Sequence, residues 1–201
     1  MKIELFLIRH GKTEAVEKHL YCGWTDLPLS EDGRREIEKY VSEGIYDRDV
    51  DIIFTSGMKR CNETMSLIFG ERDYTSVSDI MEMNFGDFEL HSYDELKTDP
   101  DYVRWIEDET GTVPCRGGES SGEFYDRCYR GFMSILSDLS AQKDGVKAAV
   151  VAHGGSIGGF IRKYADPSLD FYGAQPFPAR GFRLTVELKE EGFKVLDYTR
   201  I

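Results

Sequence analysis

The chain has 201 residues, 40% of them hydrophobic, and a net charge of −12 at pH 7. That is enough apolar material for a core of ordinary domain size. The acidic balance excludes broad binding to nucleic acid or to an anionic membrane, whose phosphates repel such a surface. No stretch approaches the roughly 18 apolar residues that a membrane span requires.

The opening residues, MKIELFLIRHG, hold only a short apolar run, with a glutamate inside it and no small-residue cleavage site. A cytoplasmic protein is therefore expected rather than a secreted one. Four cysteines (Cys22, Cys61, Cys115, Cys128) are scattered without a CxxC pair. They read as free thiols, some of them buried, rather than as a zinc framework or a disulfide scaffold.

Residues 2–8 predict a buried strand. Ser30 is placed to cap a helix over about 31–44, in which Ile37, Tyr40 and Val41 fall at helical spacing. VDIIFTS (50–56) predicts a second buried strand, and the helix after it puts Cys61, Thr64, Met65 and Ile68 on one face. A third strand is expected at 75–80. Residues 85–118 are polar and broken by Pro100, Gly111, Pro114 and the Gly117–Gly118 pair, which predicts an irregular helical excursion serving as a lid. A long helix follows over about 120–142, carrying Phe124, Cys128, Phe132, Ile135, Leu136 and Leu139. KAAVVAH (147–153) is the most apolar strand, and GGSIGGFIRKYA opens another helix. The tail, FRLTVELKEEGFKVLDYTRI, alternates and turns at Glu191–Gly192, the pattern of a β-hairpin.

Strand alternating with helix, without repeat or linker, predicts one domain over 1–201. Its class is α/β, a three-layer α/β/α sandwich with a mostly parallel central sheet, a small helical lid insertion and a C-terminal β-hairpin. Such sheets bind ligands at the carboxyl ends of their strands. Those ends carry RHG (9–11), TSGMKR (55–60) and HGG (153–155), so two histidines and two arginines are expected on one rim.

A neutral imidazole at His10 can attack phosphorus, provided that its other ring nitrogen donates to a fixed acceptor such as a backbone carbonyl. Gly11 lets the backbone turn sharply beside it. Arg9 and Arg60 can each present a planar fork to phosphoryl oxygens. His153 can add a contact as charge grows in transit. A departing alkoxide needs a proton, and Glu82 in MEMNFGDFE (81–89) lies among Met81, Met83 and Phe85, an apolar setting suited to a general acid. Spacing alone leaves Glu82 level with Glu89 and Asp87.

The ordered set LIRHGKT (7–13), TSGMKR (55–60), MEMNFGDFE (81–89), GGES (117–120) and VAHGG (151–155) resembles the histidine phosphatase superfamily, in its cofactor-independent phosphatase branch. The resemblance implies the phosphoglycerate-mutase-like fold, phosphorylation at His10, a phosphate pocket of Arg9, Arg60 and His153, and Glu82 as the acid/base. It adds Thr13 as a hydroxyl near the phosphate. Gly11, Gly23, Trp24, Gly154 and Ser120 are further candidate contacts to substrate or phosphate. No metal and no cofactor are implied, and the product is inorganic phosphate from a small phosphorylated metabolite. No nucleic acid or membrane partner is expected, and an oligomer is left open.

YCGWTDLPLSEDG (21–33) with NFGDFE is similar to bacterial α-ribazole phosphatases, which act on the 5′-phosphate of a cobalamin precursor. The same stretch also resembles phosphoglycerate mutases, whose insertions carry more basic residues than the Lys97, Arg104 and Arg116 found between 85 and 118. A mutase and a catalytically silent binder of phosphorylated ligands remain as alternatives. The chain departs from the family pattern at Val16, where many relatives carry asparagine, and at PFPARGF (176–182), where Arg180 is available as a substitute donor.

Overall fold

The computed structural model describes residues 1–201. Its six strands are β1 (Lys2–Arg9), β2 (Ile52–Thr55), β3 (Thr75–Ser76), β4 (Lys147–Ala152), β5 (Gly181–Leu188) and β6 (Phe193–Arg200), in the order β3-β2-β4-β1-β5-β6. The pairs β1–β4, β2–β4 and β2–β3 are parallel, whereas β5 runs antiparallel to both β1 and β6. The helices are α1 (Glu14–Glu17), α2 (Glu31–Ser42), α3 (Lys59–Phe69), α4 (Tyr93–Leu96), α5 (Pro100–Ile106), α6 (Ser121–Ser140) and α7 (Gly154–Tyr164). None of them is long and apolar enough to cross a membrane.

The central strands are apolar at successive positions because both faces of the sheet are covered. Side chains alternate across the pleat. Ile3, Leu5 and Leu7 of β1, with Ala148, Val150 and Ala152 of β4, face Phe132, Ile135 and Leu139 of α6 and Ile157, Phe160 and Ile161 of α7. Phe6, Ile8, Ala149 and Val151 point the other way, onto Ile37 of α2 and Cys61, Met65 and Ile68 of α3. Each fully buried Leu or Val in these layers contributes about 1.5–3 kcal/mol relative to exposure.

Hydroxyl caps set the starts of α1, α2, α4 and α6. Ser30 Oγ accepts the Gly33 N–H at 3.0 Å, and Ser120 forms a reciprocal box with Glu123 at the head of α6. At the tail, Gly192 has φ +89° and its carbonyl accepts the Lys189 N–H at 3.0 Å, which closes the β5–β6 hairpin.

The third strand is shorter than the sequence pattern suggests. Only Thr75 and Ser76 pair with β2, both exposed, and Ser78–Ile80 winds into a 3-10 turn. An exposed edge strand has no second face to bury, so its alternation is a weak constraint. The four-residue α1, capped by Thr13, has no sequence periodicity to announce it. Residues 85–118 hold α4 and α5 around a separate apolar cluster of Met83, Phe88, Leu96, Tyr102, Cys115, Phe124 and Cys128.

Candidate active site

Sheet register brings the strand ends together. Arg9 of β1 is the lateral partner of Ala152 in β4, and Thr55 of β2 is the partner of Val151. The residues one step further, His10, Ser56 and His153, therefore emerge side by side. The His10 N–H donates to the Ala152 carbonyl at 3.0 Å and the Ser56 N–H to that of Val151 at 3.2 Å. The two imidazoles meet edge to face, with ring centroids 5.1 Å apart.

Each ring has a defined proton arrangement. His10 Nδ1 lies 2.7 Å from the Gly11 carbonyl, which can only accept, so Nδ1 carries the proton and Nε2 presents a lone pair. His153 Nδ1 accepts from Arg60 Nη2 at 3.2 Å, and its Nε2 lies 2.8 Å from Ser56 Oγ. Burial first, and then the Arg60 guanidinium, push both imidazoles well below the ordinary histidine pKa. Both are thus neutral at pH 7.

Arg60 is fully buried and is the second residue of α3. Its Nη1 donates to the Thr25 carbonyl at 3.0 Å and its Nη2 to the Gly23 carbonyl at 2.7 Å, so the loop after α1 holds the guanidinium from above. Arg9 donates through Nη1 to the Pro176 carbonyl at 3.0 Å. The Nε of each arginine is buried with no partner in the protein. Desolvation pulls the Arg9 pKa down, with Glu82 opposing and Arg60 reinforcing the effect. Two cations so close in a buried place make a strong anion site.

The head of α7 explains the HGG sequence. A Cβ at Gly154 would stand 3.1 Å from Arg9 Cζ and 2.7 Å from Gln175 Oε1, and one at Gly155 would stand 2.4 Å from Glu82 Oε1. Both glycines therefore let charged side chains approach the first turn of a helix, where N–H groups and the dipole attract anions. Glu82 uses that position: its Oε2 accepts the Gly155 N–H at 2.9 Å, and its Oε1 accepts the Met83 N–H at 3.1 Å. Its oxygens rest on backbone donors, so the setting is less apolar than the flanking methionines suggest.

The two neighbouring carboxylates are engaged elsewhere. Glu89 accepts from the N–H groups of Gly23, Trp24, Thr25 and Phe85 at 3.1, 2.6, 2.8 and 3.3 Å. Asp87 pairs with Arg116 at 2.9 Å on the surface.

The remaining sequence-selected residues surround the pocket in structural positions. The Gly11 N–H donates to Thr64 Oγ1 at 3.0 Å, and a Cβ there would stand 2.6 Å from Ile37 Cδ1, so this glycine serves packing on α2. Gly23 supplies a carbonyl to Arg60 and an N–H to Glu89. Thr13 is buried, with Oγ1 accepting the Val16 N–H at 3.3 Å, and Ser120 is buried in the α6 cap. Trp24 is 47% exposed. Arg180 does not reach the phosphate rim: its Nε donates to the Ile201 carbonyl and its guanidinium lies over Tyr40. It lines a separate cavity of about 350 Å³ with Lys12, Glu36 and Arg200.

Sequence reasoning gave no role to Ser56 or to Arg127, whose guanidinium bonds the Glu82 carbonyl at 3.3 Å, and weighed Glu89 as a rival acid where the structure shows it organising the loop at 23–25. Only Ser56, inside TSGMKR, lay in a block already singled out at a strand end. No group of three or more His, Cys, Asp or Glu side chains stands close enough to hold a metal ion. All four cysteines are free, and burial raises the Cys61 thiol to about 11 and the Cys115 thiol to about 12.

Comparison with known proteins gives a consistent picture. The family described as the histidine phosphatase superfamily (branch 1) matches residues 5–200. The adenosylcobalamin/alpha-ribazole phosphatase of Salmonella typhimurium is 28% identical over 77% of this chain and 76% of its own length. The 2,3-bisphosphoglycerate-dependent phosphoglycerate mutase of Cytophaga hutchinsonii is 30% identical over 76% of this chain and 73% of its own. Among solved structures, the alpha-ribazole phosphatase of Shigella flexneri superposes with a TM-score of 0.76 at 21% identity, covering 96% of this chain and 94% of that one. That likeness speaks to the fold.

Proposed function

Because the chain belongs to the histidine phosphatase superfamily (branch 1), we propose that it is a phosphomonoesterase working through a phosphohistidine at His10. The observation that carries this reading is the Nδ1 contact to the Gly11 carbonyl, which leaves an Nε2 lone pair on a neutral imidazole whose pKa is lowered by burial and then by the nearby Arg60 and Arg9 guanidiniums. In the first step Nε2 bonds to phosphorus while the ester oxygen leaves with a proton from Glu82. In the second, water attacks the phosphohistidine, gives a proton to Glu82 and releases inorganic phosphate. Arg9, Arg60 and the first turn of α7 hold the phosphoryl oxygens. His153 accepts from Arg60 Nη2 at Nδ1 and bonds Ser56 Oγ through Nε2, so in this reading it acts on the phosphoryl group by holding the guanidinium in place.

The substrate we propose is a small phosphorylated metabolite of the cytoplasm, with α-ribazole 5′-phosphate as the first to try, given the Salmonella relative. A hydrolase is favoured over a mutase by the state of the excursion's cations. Lys97 pairs with Asp94 at 2.6 Å, and Arg116 with Asp87, Asp99 and Asp101 at 2.9, 3.4 and 3.0 Å, which leaves Arg104 as the one cation there without an acid partner to meet a substrate carboxylate. We take residues 85–118 as the lid of a single domain over 1–201. The Tyr21–Tyr102 hydroxyl contact at 2.5 Å and the Leu20–Ser92 bridge, which tie it to the loop after α1, support that reading.

Rapid quenching with radiolabelled substrate tests the mechanism: acid-labile label is expected on the protein and none on His10→Ala. Acid-stable label would overturn it. EDTA is expected to leave turnover unchanged. Isomerisation of 3-phosphoglycerate without phosphate release would instead assign a mutase. Phosphate binding with no hydrolysis of p-nitrophenyl phosphate would assign a silent binder.

A further inference from the structure

We propose that Arg127, braced by Glu119, is the positioning residue that sets the Glu82 carboxyl for proton transfer; this rests on the acid/base role proposed for Glu82. The other candidate groups inherit their places from regular structure. His10 and His153 stand at the ends of laddered strands, and Arg60 lies on α3. Glu82 does not, because β3 ends at Ser76 and the 3-10 turn ends at Ile80. Something else has to fix its backbone.

Arg127 does so with all five of its N–H donors. Nε and Nη2 form a fork on Glu119, at 2.8 Å to Oε1 and 2.8 Å to Oε2. Nη1 donates to the carbonyls of Asp79 at 2.9 Å and Met81 at 3.1 Å, and Nη2 also reaches that of Glu82 at 3.3 Å. Glu119 extends the clamp past the far side of Glu82, since its Oε2 accepts the Asn84 N–H at 2.8 Å. The ion pair is well shielded, with side-chain exposures of 12% and 17%. The rings of Phe124 and Trp24 lie 5.5 and 6.0 Å from Arg127 Cζ.

The backbone on both sides of Glu82 is therefore pinned to α6 and to the residue before its cap. The Glu82 side chain, in turn, bonds the first turn of α7. A methionine at position 127 fills similar space but releases three carbonyls, and a shift of about 1 Å in a reacting group costs on the order of 100-fold in rate.

The test is the single-turnover rate of phospho-His10 formation by Arg127→Met with two aryl esters. Phenolate is a poor leaving group that needs the acid, because phenols ionise near pH 10. Dinitrophenolate leaves without it. The expected result is a loss of about 100-fold with phenyl phosphate and less than about threefold with 2,4-dinitrophenyl phosphate, as for loss of a general acid. Equal losses on both esters would reduce Arg127 to a structural residue, and no loss on either would also overturn the assignment. Should Arg127→Met fail to fold, Glu119→Gln, which keeps one acceptor for the fork, is expected to show the same selectivity in smaller measure. Absence of phosphohistidine in the unsubstituted protein would strike the proposed function itself, a result distinct from these.

Discussion

The His10 and His153 rings are packed edge to face at 64°, each buried and each pressed toward neutrality by the same Arg60 guanidinium. This contact links the proposed chemistry to stability. A histidine whose folded pKa lies below its unfolded value binds fewer protons when folded. Its contribution to stability is therefore complete above about pH 6.5 and is lost as the pH falls below that toward the folded pKa.

Each ring should then remove up to about 1.4 kcal/mol of stability per pH unit below pH 6.5. Urea unfolding measured from pH 8 to pH 5 is expected to be steepest in its acidic half, and His153→Asn should flatten that slope. Ring-proton chemical shifts of both residues should stay constant between about pH 8 and 6.5. A full titration of either ring in that interval would contradict the neutral pair.

The N-terminal turn of α7 tolerates no side chain against Glu82. In Gly155→Ala the new Cβ would meet Glu82 Oε1 at 2.4 Å, and the carboxylate is the partner free to move. Alanine itself favours helix by up to about 1 kcal/mol. The expected result is a kcat lower by about 100-fold with an unfolding temperature unchanged or slightly raised. Activity and stability measured on the same preparation check it.

Arg60→Lys should fail despite keeping the charge. One ammonium cannot reach the carbonyls of Gly23 and Thr25 and His153 Nδ1 together from the geometry of a fork. Leaving buried acceptors unpaired costs about 1–3 kcal/mol. Denaturant titration should show that loss, and steady-state kinetics should show KM for phosphate esters rising at least about tenfold.

Glu89 supports Arg60 at one remove. Its carboxylate organises the N–H groups of Gly23, Trp24 and Thr25, whose loop in turn presents two carbonyls to the guanidinium. Glu89→Ala is expected to raise KM by about tenfold and to speed proteolytic nicking between residues 21 and 26. Gly23→Ala should do the same, because its Cβ would fall 1.6 Å from the Met83 carbonyl oxygen.

Local order in the sequence determined the layers and the rim. A strand buried on both faces must be apolar throughout, and a helix on a sheet must repeat its apolar side every three or four residues. For that reason β1, β4, α2 and α6 are legible within a few residues of their ends. Parallel strands then carry RHG, TSGMKR and HGG to one edge by topology alone. Tertiary structure decided what no spacing could. Glu82, Asp87 and Glu89 lie on one irregular stretch, and their partners come from α7, from Arg116 and from the loop at 23–25, all distant in the chain. The same holds for Arg127, an unremarkable helix position in sequence whose five donors close on Glu119 and on the backbone around Glu82. Side-chain hydrogen bonds between remote segments depend on three-dimensional approach, and periodicity carries no record of them.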